Sequence, residues 1–322
     1  MLYSKNDVKV VKYHAYAKIN LALSILGRRK DGYHEIATLM VPVSIADLVS
    51  VEAGTQGIRV CCPGLPGVHQ RDNLAYKAGV SLISGKPEAP GFAISIKKNI
   101  PPGKGLGGGS SDAAAALLAM ADLWASKDKP GLAALTQMAA GIGSDVPFFI
   151  GANAKPPLWQ GALCIGRGER AYPVEAGPYW VLLIFPDAHI STRLAYLRWD
   201  AMHPDAPVLS TELDLAGALA IDSRISNTAR VLSSNDPERL GLCIFNDFEK
   251  SVYPSYPRLS IIKENLLLSG AFGAALTGSG SAIYGICGSR EHAEKVRRRF
   301  FELSGGLPVT QAIIAKTGVN NQ

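Results

Sequence analysis

The sequence feature that most constrains the fold is a glycine cluster at 103–111, GKGLGGGSS, directly before an alanine-rich segment. Five of its first seven residues are glycine. Because glycine has no Cβ, consecutive backbone N–H groups can turn inward toward an anion. A helix that starts directly after the cluster adds unsatisfied N–H donors and the positive end of its dipole. The pattern predicts a phosphate-binding loop and a helix over about 110–125, with Ser110, Ser111 and Asp112 as N-cap candidates.

Two common phosphate-binding motifs fit this loop poorly. A P-loop needs Gly-Lys followed by Ser or Thr, whereas Lys104 is followed by Gly105. Gly103, Gly105 and Gly108 spell G-x-G-x-x-G, but a dinucleotide-binding fold needs a strand running straight into the first glycine, and two prolines intervene. A flexible linker explains the glycines but not the capping residues or the alanines. We therefore expect a phosphate site, where a side chain at Gly108 would occupy phosphate space and resist a positive φ.

Length and composition indicate a globular protein with two domains. A chain of 322 residues is usually too long to fold around one hydrophobic core. Its 47% hydrophobic residues exclude disorder as the main state. Prolines and glycines at 155–168 predict a boundary, which divides the chain into domains 1–160 and 161–322. Strands and helices interleave, but hairpin-like pairs also occur. We therefore expect an α+β fold rather than a regular doubly wound sheet.

Charge and cysteine content exclude several classes of partner. The net charge is +6, but the densest basic run is only Arg297–Arg299, so no nucleic-acid binding is expected. The five cysteines are dispersed and form no CxxC pair, which argues against a disulfide framework or zinc site and favours the cytoplasm. Residues 265–289 carry no charge, but their many glycines predict a turn between a helix and a strand rather than a membrane span.

Hydrophobic periodicity predicts the remaining elements. Strands are expected at 14–26, 36–45, 47–53, 92–98, 179–185, 271–276 and 281–287. Helices are expected at 73–84, 131–141, 190–200, 246–253, 257–269 and 290–303, with further helices and loops over 203–235. The segment 143–151, GSDVPFFIG, predicts a turn followed by a short apolar strand.

Four segments together resemble the GHMP kinases, the family of galactokinase, homoserine kinase and mevalonate kinase. They are AKINLAL (17–23), PPGKGLGGGSSDAA (101–114), GSDVPFF (143–149) and LTGSGSAIYGI (276–286), in the family's order and spacing. The resemblance implies a two-domain architecture, with an N-terminal domain like ribosomal protein S5 and a ferredoxin-like C-terminal domain. It also implies ATP and Mg²⁺ as cofactors. The ATP contacts that it implies are Pro101, Pro102, Gly103, Lys104, Gly105, Leu106, Gly107, Gly108, Gly109, Ser110 and Ser111.

The resemblance also implies two catalytic residues. Asp145 in GSDVP would accept the proton of an acceptor hydroxyl, although an Asp beside Gly and Ser is more often a turn or cap residue. Lys18 in AKIN would stabilise the developing alkoxide and keep the carboxylate ionised, although a strand Lys usually faces solvent. Asn20 lies on the same strand face by two-residue alternation, so we expect it to contact the acceptor.

The turn GYHE (32–35), with GRGERAYPV (166–174) and NDFE (246–249), narrows the resemblance within the family. It implies a small-molecule substrate, a cytidine-diphosphate-linked methylerythritol, phosphorylated on its 2-hydroxyl in non-mevalonate isoprenoid synthesis. Tyr33 and His34 would recognise cytosine. Tyr196 would be a second stacking aromatic residue, with Thr192 as a nearby polar contact. We expect a monomer or a weak homodimer.

Three other functions stay open on the sequence alone. The chain could be a GHMP kinase for another acceptor, although the GYHE turn argues against homoserine and mevalonate. It could be a catalytically inactive ATP-binding sensor, although the presence of both Lys18 and Asp145 argues against that. A nicotinamide dehydrogenase is the third alternative, which the poor dinucleotide fingerprint disfavours.

Overall fold

A computed structural model describes residues 9–86, 88–124, 129–210 and 212–318. Its first feature is a long antiparallel hairpin of β1 (Val10–Arg29) and β2 (His34–Thr55). The two strands predicted at 36–45 and 47–53 are therefore one continuous strand. The turn between β1 and β2 spans residues 30–33.

This hairpin forms the centre of an eight-stranded sheet. Strand order is β3 (Ile58–Cys61), β4 (Gly91–Lys97), β2, β1 and β8 (Val208–Leu209). Two short additions pair with the hairpin: β5 (Gly161–Gly166) with β2, and β9 (Phe245–Asn246) with β1; β6 (Arg170–Val174) extends β5.

The first four helices of the chain belong to the same half as the first sheet. They are α1 (Leu74–Ile83), α2 (Gly108–Leu123), α3 (Leu132–Ile142) and α4 (Val146–Ala152), with a 3₁₀ turn at Gln70–Asp72. Asn73 caps α1 as predicted, since its side chain accepts a hydrogen bond from the Ala75 N–H. Helix α2 is buried almost all round, because the small residues Ala113–Ala116 let it lie close against β1 and β2.

The second sheet has four antiparallel strands in the order β10 (Gly273–Leu276), β11 (Ile283–Cys287), β7 (Trp180–Pro186) and β12 (Val309–Lys316). The larger helices of this half are α5 (Thr192–Met202), α10 (Pro257–Leu268) and α11 (Arg290–Leu303). Shorter ones are α8 (Pro237–Cys243) and α9 (Phe248–Val252), whereas α6 (Leu215–Ile221) contacts β2 and α7 (Ser223–Leu232) contacts β1 and β2 of the first sheet.

The α+β class and the two-part architecture are confirmed. Division into domains at residue 160 stays a prediction; β5 and β6, just beyond it, are hydrogen-bonded into the first sheet, and the short strands β8 and β9 join that sheet from further along the chain. The uncharged stretch 265–289 forms the end of α10, two strands and the turn between them. Within the described residues, no helix is both long and apolar enough to cross a membrane.

Candidate active site

The phosphate loop connects β4 to α2, and three of its glycines have left-handed backbone conformations. The φ angle is +68° at Gly103, +81° at Gly105 and +70° at Gly107. A Cβ at Gly105 would lie 2.1 Å from the Thr277 carbonyl oxygen, and one at Gly107 would lie 2.7 Å from the Phe149 ring. The protein's own packing therefore requires these glycines, whatever the loop binds.

The start of α2 corrects two predictions. Gly108 does not need a positive φ, because it is already the first residue of the helix. The N-cap is Gly107, and the predicted caps Ser110, Ser111 and Asp112 lie inside the helix. Since no side chain caps α2, the first N–H groups of the helix remain available to an anion.

The side chains of two predicted nucleotide contacts, Lys104 and Ser111, already have protein partners. Lys104 donates through Nζ to the carbonyl oxygens of Pro186 (2.7 Å) and Ala188 (2.8 Å), which ties the loop to the end of β7. Ser111 is fully buried, and its Oγ accepts a hydrogen bond of 3.0 Å from Asn153 Nδ2. The other predicted contacts lie along the same loop and first helical turn: Pro101, Pro102, Gly103, Gly105, Leu106, Gly107, Gly108, Gly109 and Ser110.

Lys18 on β1 points into the protein, so the solvent-facing alternative is wrong. Only 3% of the residue is exposed. Its Nζ donates to Asn20 Oδ1 at 2.6 Å and to the Gly105 carbonyl at 2.8 Å, and lies 3.8 Å from Asp145 Oδ2. Burial lowers the pKa of Lys18, and the Asp145 charge partly opposes that shift. The strand thus presents a desolvated cation beside the phosphate loop.

Asp145 precedes α4, so the strand predicted within 143–151 is wrong. Pro147 fits the first turn of a helix, where its missing N–H has no partner to lose. The Asp145 side chain makes no capping hydrogen bond and is 33% exposed. Its carboxylate therefore pairs with Lys18 and lines an open cavity, which the turn-or-cap alternative does not explain.

Asn20 connects Lys18 to the glycine-rich turn between β10 and β11. Its Oδ1 accepts from Lys18 Nζ and, at 2.8 Å, from the Gly278 N–H, while its Nδ2 donates to Thr38 Oγ1 at 2.8 Å. Asn246 Nδ2 donates to the carbonyl oxygen of Gly278, also at 2.8 Å. This network fixes the turn between β10 and β11 against the phosphate loop. Sequence reasoning missed Thr38 and Asn246.

The residues predicted to recognise a base meet at the other end of the cavity. The rings of His34 and Tyr196 are stacked, with centroids 4.4 Å apart and planes 15° apart. His34 Nε2 lies 2.8 Å from Asp200 Oδ1, and Asp200 also pairs with Arg28 Nε at 2.9 Å. Sequence reasoning missed Asp200 and Arg28. The sequence carried one signal for Asp200. It lies four residues after Tyr196 in a predicted helix, so the two side chains share one helix face.

Two further predicted residues, Tyr33 and Thr192, lie at the same end of the cavity as His34 and Tyr196. Tyr33 is 55% exposed, and the Arg167 guanidinium carbon lies 5.0 Å from its ring centroid. Thr192 Oγ1 lies 2.8 Å from Ser279 Oγ, so it joins α5 to the glycine-rich turn between β10 and β11.

One cavity of about 550 Å³ contains both ends of this arrangement. The phosphate-loop end is lined by Lys18, Gly105, Gly107 and Asp145, and the aromatic end by Tyr33, His34, Thr192, Tyr196 and Asp200. That volume is within the usual range for small-molecule sites. The structure therefore brings the predicted catalytic and acceptor residues to one site, with the phosphate loop at its edge.

Two family models match the chain: GHMP kinases N terminal domain over residues 73–152 and GHMP kinases C terminal over residues 228–303. A 4-diphosphocytidyl-2-C-methyl-D-erythritol kinase of Moorella thermoacetica is 35% identical over 305 residues, which cover 94% of this chain and 99% of that protein. The protein of the same name from Gloeobacter violaceus is 35% identical over 314 residues, which cover 96% and 95%.

Solved structures agree with these matches. A crystal structure of 4-(cytidine 5'-diphospho)-2C-methyl-D-erythritol kinase has a TM-score of 0.73 and 30% identity, covering 96% of this chain and 100% of that one. A homoserine kinase from Cytophaga hutchinsonii has a TM-score of 0.70 at 19% identity, covers 100% and 98% of the two chains, and shows the fold alone. With near full-length relatives above 30% identity and both domain models matched, the chain belongs to the GHMP kinase family.

Proposed function

We propose that the protein transfers the γ-phosphoryl group of ATP to the 2-hydroxyl of 4-diphosphocytidyl-2-C-methyl-D-erythritol, in non-mevalonate isoprenoid synthesis. The observation that carries this proposal is the single cavity that joins the Lys18–Asp145 pair to the stacked rings of His34 and Tyr196. An acceptor that carries a base at one end and an alcohol at the other matches a cavity with these two ends. The names of the relatives support the same substrate.

Asp145 acts as the general base in this proposal. The acceptor oxygen attacks the γ-phosphorus, its proton passes to the Asp145 carboxylate, and ADP leaves with the β–γ bridging oxygen. The carboxylate is exposed enough to meet a ligand, and the Lys18 ammonium group lies beside it.

Lys18 stabilises the charge that develops on the acceptor oxygen and the transferring phosphoryl group. Its ammonium group is held by the Asn20 side chain and the Gly105 carbonyl, so little reorganisation is needed when the charge appears. The Gly105 contact also fixes Lys18 to the phosphate loop. The same bond therefore sets the position of the cation relative to the nucleotide.

The nucleotide substrate is MgATP, whose phosphates the loop and the start of α2 would bind. Within the described residues, no group of three His, Cys, Asp or Glu side chains is placed to hold a metal ion. Mg²⁺ bound to the nucleotide would neutralise part of the triphosphate charge. Because the Ser111 hydroxyl is bonded to Asn153, we assign it no metal contact.

The cytosine of the acceptor would bind at the aromatic end. Stacking on Tyr33 or Tyr196 would stabilise any bound base. Selection of cytosine over other bases therefore needs hydrogen bonds to the edge of the base. Nε2 of His34 is occupied by Asp200, which leaves Nδ1 or the backbone of the 32–34 turn for that role. Thr192 and Asn20 would contact the ribose–phosphate and the acceptor polyol.

ATP consumption measured against three acceptors tests the proposal. We expect turnover with 4-diphosphocytidyl-2-C-methyl-D-erythritol and none with mevalonate or homoserine. Turnover with another acceptor would identify a different kinase of the family, and ATP binding without any turnover would favour the inactive sensor. The cytoplasmic location and the state of monomer or weak homodimer stay predictions.

A further inference from the structure

The acceptor proposed above carries a diphosphate between its cytidine and its alcohol, so this inference rests on that function. If the base lies near Tyr196 and the reacting hydroxyl near Asp145, the diphosphate must cross the middle of the cavity. Two ionised phosphoryl groups that leave water need cationic partners there. The described side chains that line this cavity include three lysines or arginines, namely Lys18, Arg167 and Arg193.

Lys18 is unsuited to that role because its partners are already in place. Its ammonium group bonds Asn20 and Gly105 and faces Asp145. Arg28 lies close by, but its Nη2 bonds the carbonyl oxygens of Asp200 and His203 and its Nε pairs with the Asp200 carboxylate.

Arg167 enters the cavity from the turn between β5 and β6. Glycines flank it, with φ of +79° at Gly166 and +107° at Gly168, so the turn places the arginine at its tip. Its side chain is 32% exposed, and its only ion pair within the described chain is a long one, 3.8 Å from Nε to Glu169 Oε1. The guanidinium group lies over the Tyr33 ring, where it keeps donors free for an anion.

Arg193 enters from the first turn of α5, next to Thr192. It is exposed, and with the residues that the structure describes it forms no ion pair and no side-chain hydrogen bond. An unpaired arginine that lines a cavity has its full set of donors available. The start of α5 adds the positive end of a helix dipole on the same side.

We propose that Arg167 and Arg193 bind the diphosphate of the acceptor and so select nucleoside diphosphate-linked alcohols over uncharged ones. A guanidinium group binds phosphate oxygens in a bidentate manner, which orients the ligand as well as attracting it. With the diphosphate held between the two arginines, the alcohol is directed to Lys18 and Asp145. Neither arginine takes part in the chemical step.

Calorimetric titration with cytidine, CMP and CDP tests this proposal, with a non-hydrolysable ATP analogue present to fill the nucleotide site. In the wild-type protein, affinity should rise from cytidine to CMP to CDP. Arg193→Gln and Arg167→Gln should each weaken CDP binding by about tenfold or more, the size expected for a lost charged hydrogen bond, and leave cytidine binding nearly unchanged. Arg198→Gln is the matched control, because Arg198 is on the same helix but lies over the Tyr256 ring and does not line the cavity.

The outcomes separate this inference from the function on which it rests. If the wild-type protein prefers CDP and both variants keep that preference, the arginine assignment is wrong while the function stands. If cytidine and CDP lose affinity equally in the variants, the arginines shape the base site and the diphosphate role is wrong. If the wild-type protein binds none of the three ligands, the proposed function itself fails, and this inference with it.

Discussion

The Nζ atom of Lys18 lies 3.8 Å from Oδ2 of Asp145, and the two side chains differ sharply in exposure, at 4% and 33%. The buried partner is a cation whose pKa is lowered by desolvation, while the more exposed partner is a carboxylate open to the cavity. In the proposed mechanism, this asymmetry leaves Asp145 able to exchange a proton with the acceptor while Lys18 stays fixed. The first two predictions separate the two roles.

Asp145→Asn should retain the fold and the affinity for ATP but lose turnover by about 10²–10⁴-fold, the usual contribution of a general base. The amide keeps the shape of the side chain but cannot accept the proton. Steady-state kinetics, with calorimetry for ATP, measures both quantities. Asp205→Asn, at an exposed position in the turn after α5, controls for loss of one negative charge. A kcat near that of the wild-type protein would remove Asp145 from the mechanism.

Lys18→Met should lower kcat much more than it lowers the melting temperature. Methionine replaces a desolvated ammonium group by an apolar chain of similar length, so the protein loses an ion pair but also its desolvation cost. Lys12→Met is the matched control, since Lys12 lies on the same strand with an exposed side chain. If both variants turned over like the wild-type protein, Lys18 would have only a structural role.

Gly107→Ala should destabilise the protein by about 1–3 kcal/mol and weaken ATP binding, because a non-glycine residue would hold a positive φ and approach the Phe149 ring. Gly109→Ala is the matched control for stability, since a Cβ there would meet only Leu74, at 3.9 Å. Thermal unfolding and ATP titration of both variants check this. Equal melting temperatures for the two variants would show that the loop relaxes around Gly107.

His34→Ala should raise the KM for the cytidine-linked acceptor and leave the KM for ATP nearly unchanged. The substitution removes the ring that stacks on Tyr196 and that Asp200 holds in place. Tyr196→Ala should have the same effect and Tyr196→Phe much less, because phenylalanine keeps the stacking face. His14→Ala, at an exposed position on β1, is the control. An equal rise in both KM values would contradict a separate acceptor site.

Asp112→Asn should remove part of the pH dependence of stability. Burial raises the pKa of Asp112 to about 7, with Asp47 adding to the shift and Lys98 opposing it. Because this carboxyl stays protonated to a higher pH in the folded state than in the unfolded chain, its contribution is complete below about pH 4 and is lost as pH rises through 7. Asparagine resembles the protonated carboxyl group at every pH, so the Asp112→Asn protein should not lose this contribution to stability as pH rises.

Thermal unfolding of the wild-type protein, Asp112→Asn and Asp205→Asn between pH 5 and pH 8 measures this effect. The wild-type protein should lose stability relative to Asp112→Asn as pH rises, by an amount on the order of 1–3 kcal/mol. The Asp205→Asn curve should run parallel to that of the wild-type protein. Parallel curves for all three proteins would contradict the raised pKa.

Local patterns predicted most elements, and their failures have physical causes. Helix α1 was predictable because its cap, Asn73, and its periodicity lie within one segment. Helix α4 was mistaken for a strand because all seven of its residues are buried, and a short run that is apolar on every side has no period to separate the two structures. Strand β12 was missed because it pairs with the distant strand β7. The hairpin of β5 and β6 was missed because its first strand falls in the proline- and glycine-containing stretch 155–168, which predicted a boundary.

The site residues likewise divide into those that a local pattern reveals and those that only the fold brings together. Lys18, Asp145 and the loop stand in segments that are distinctive in themselves, so resemblance located them. Asp200 and Arg193 belong to an ordinary helical stretch, and only the fold brings α5 to the cavity, which both residues line and where Asp200 contacts His34. Contacts between segments far apart in the chain leave no local signal in a single sequence.

Because Gly105 has no room for a methyl group beside the Thr277 carbonyl, two segments that lie 172 positions apart constrain each other's backbone. A chimera that joined residues 1–160 of this chain to the second half of a relative would keep every motif intact. It would still displace the phosphate loop if the relative's turn after β10 followed a path different by even one ångström. Homologous recombination within this gene should therefore succeed only when both segments are inherited from the same parent.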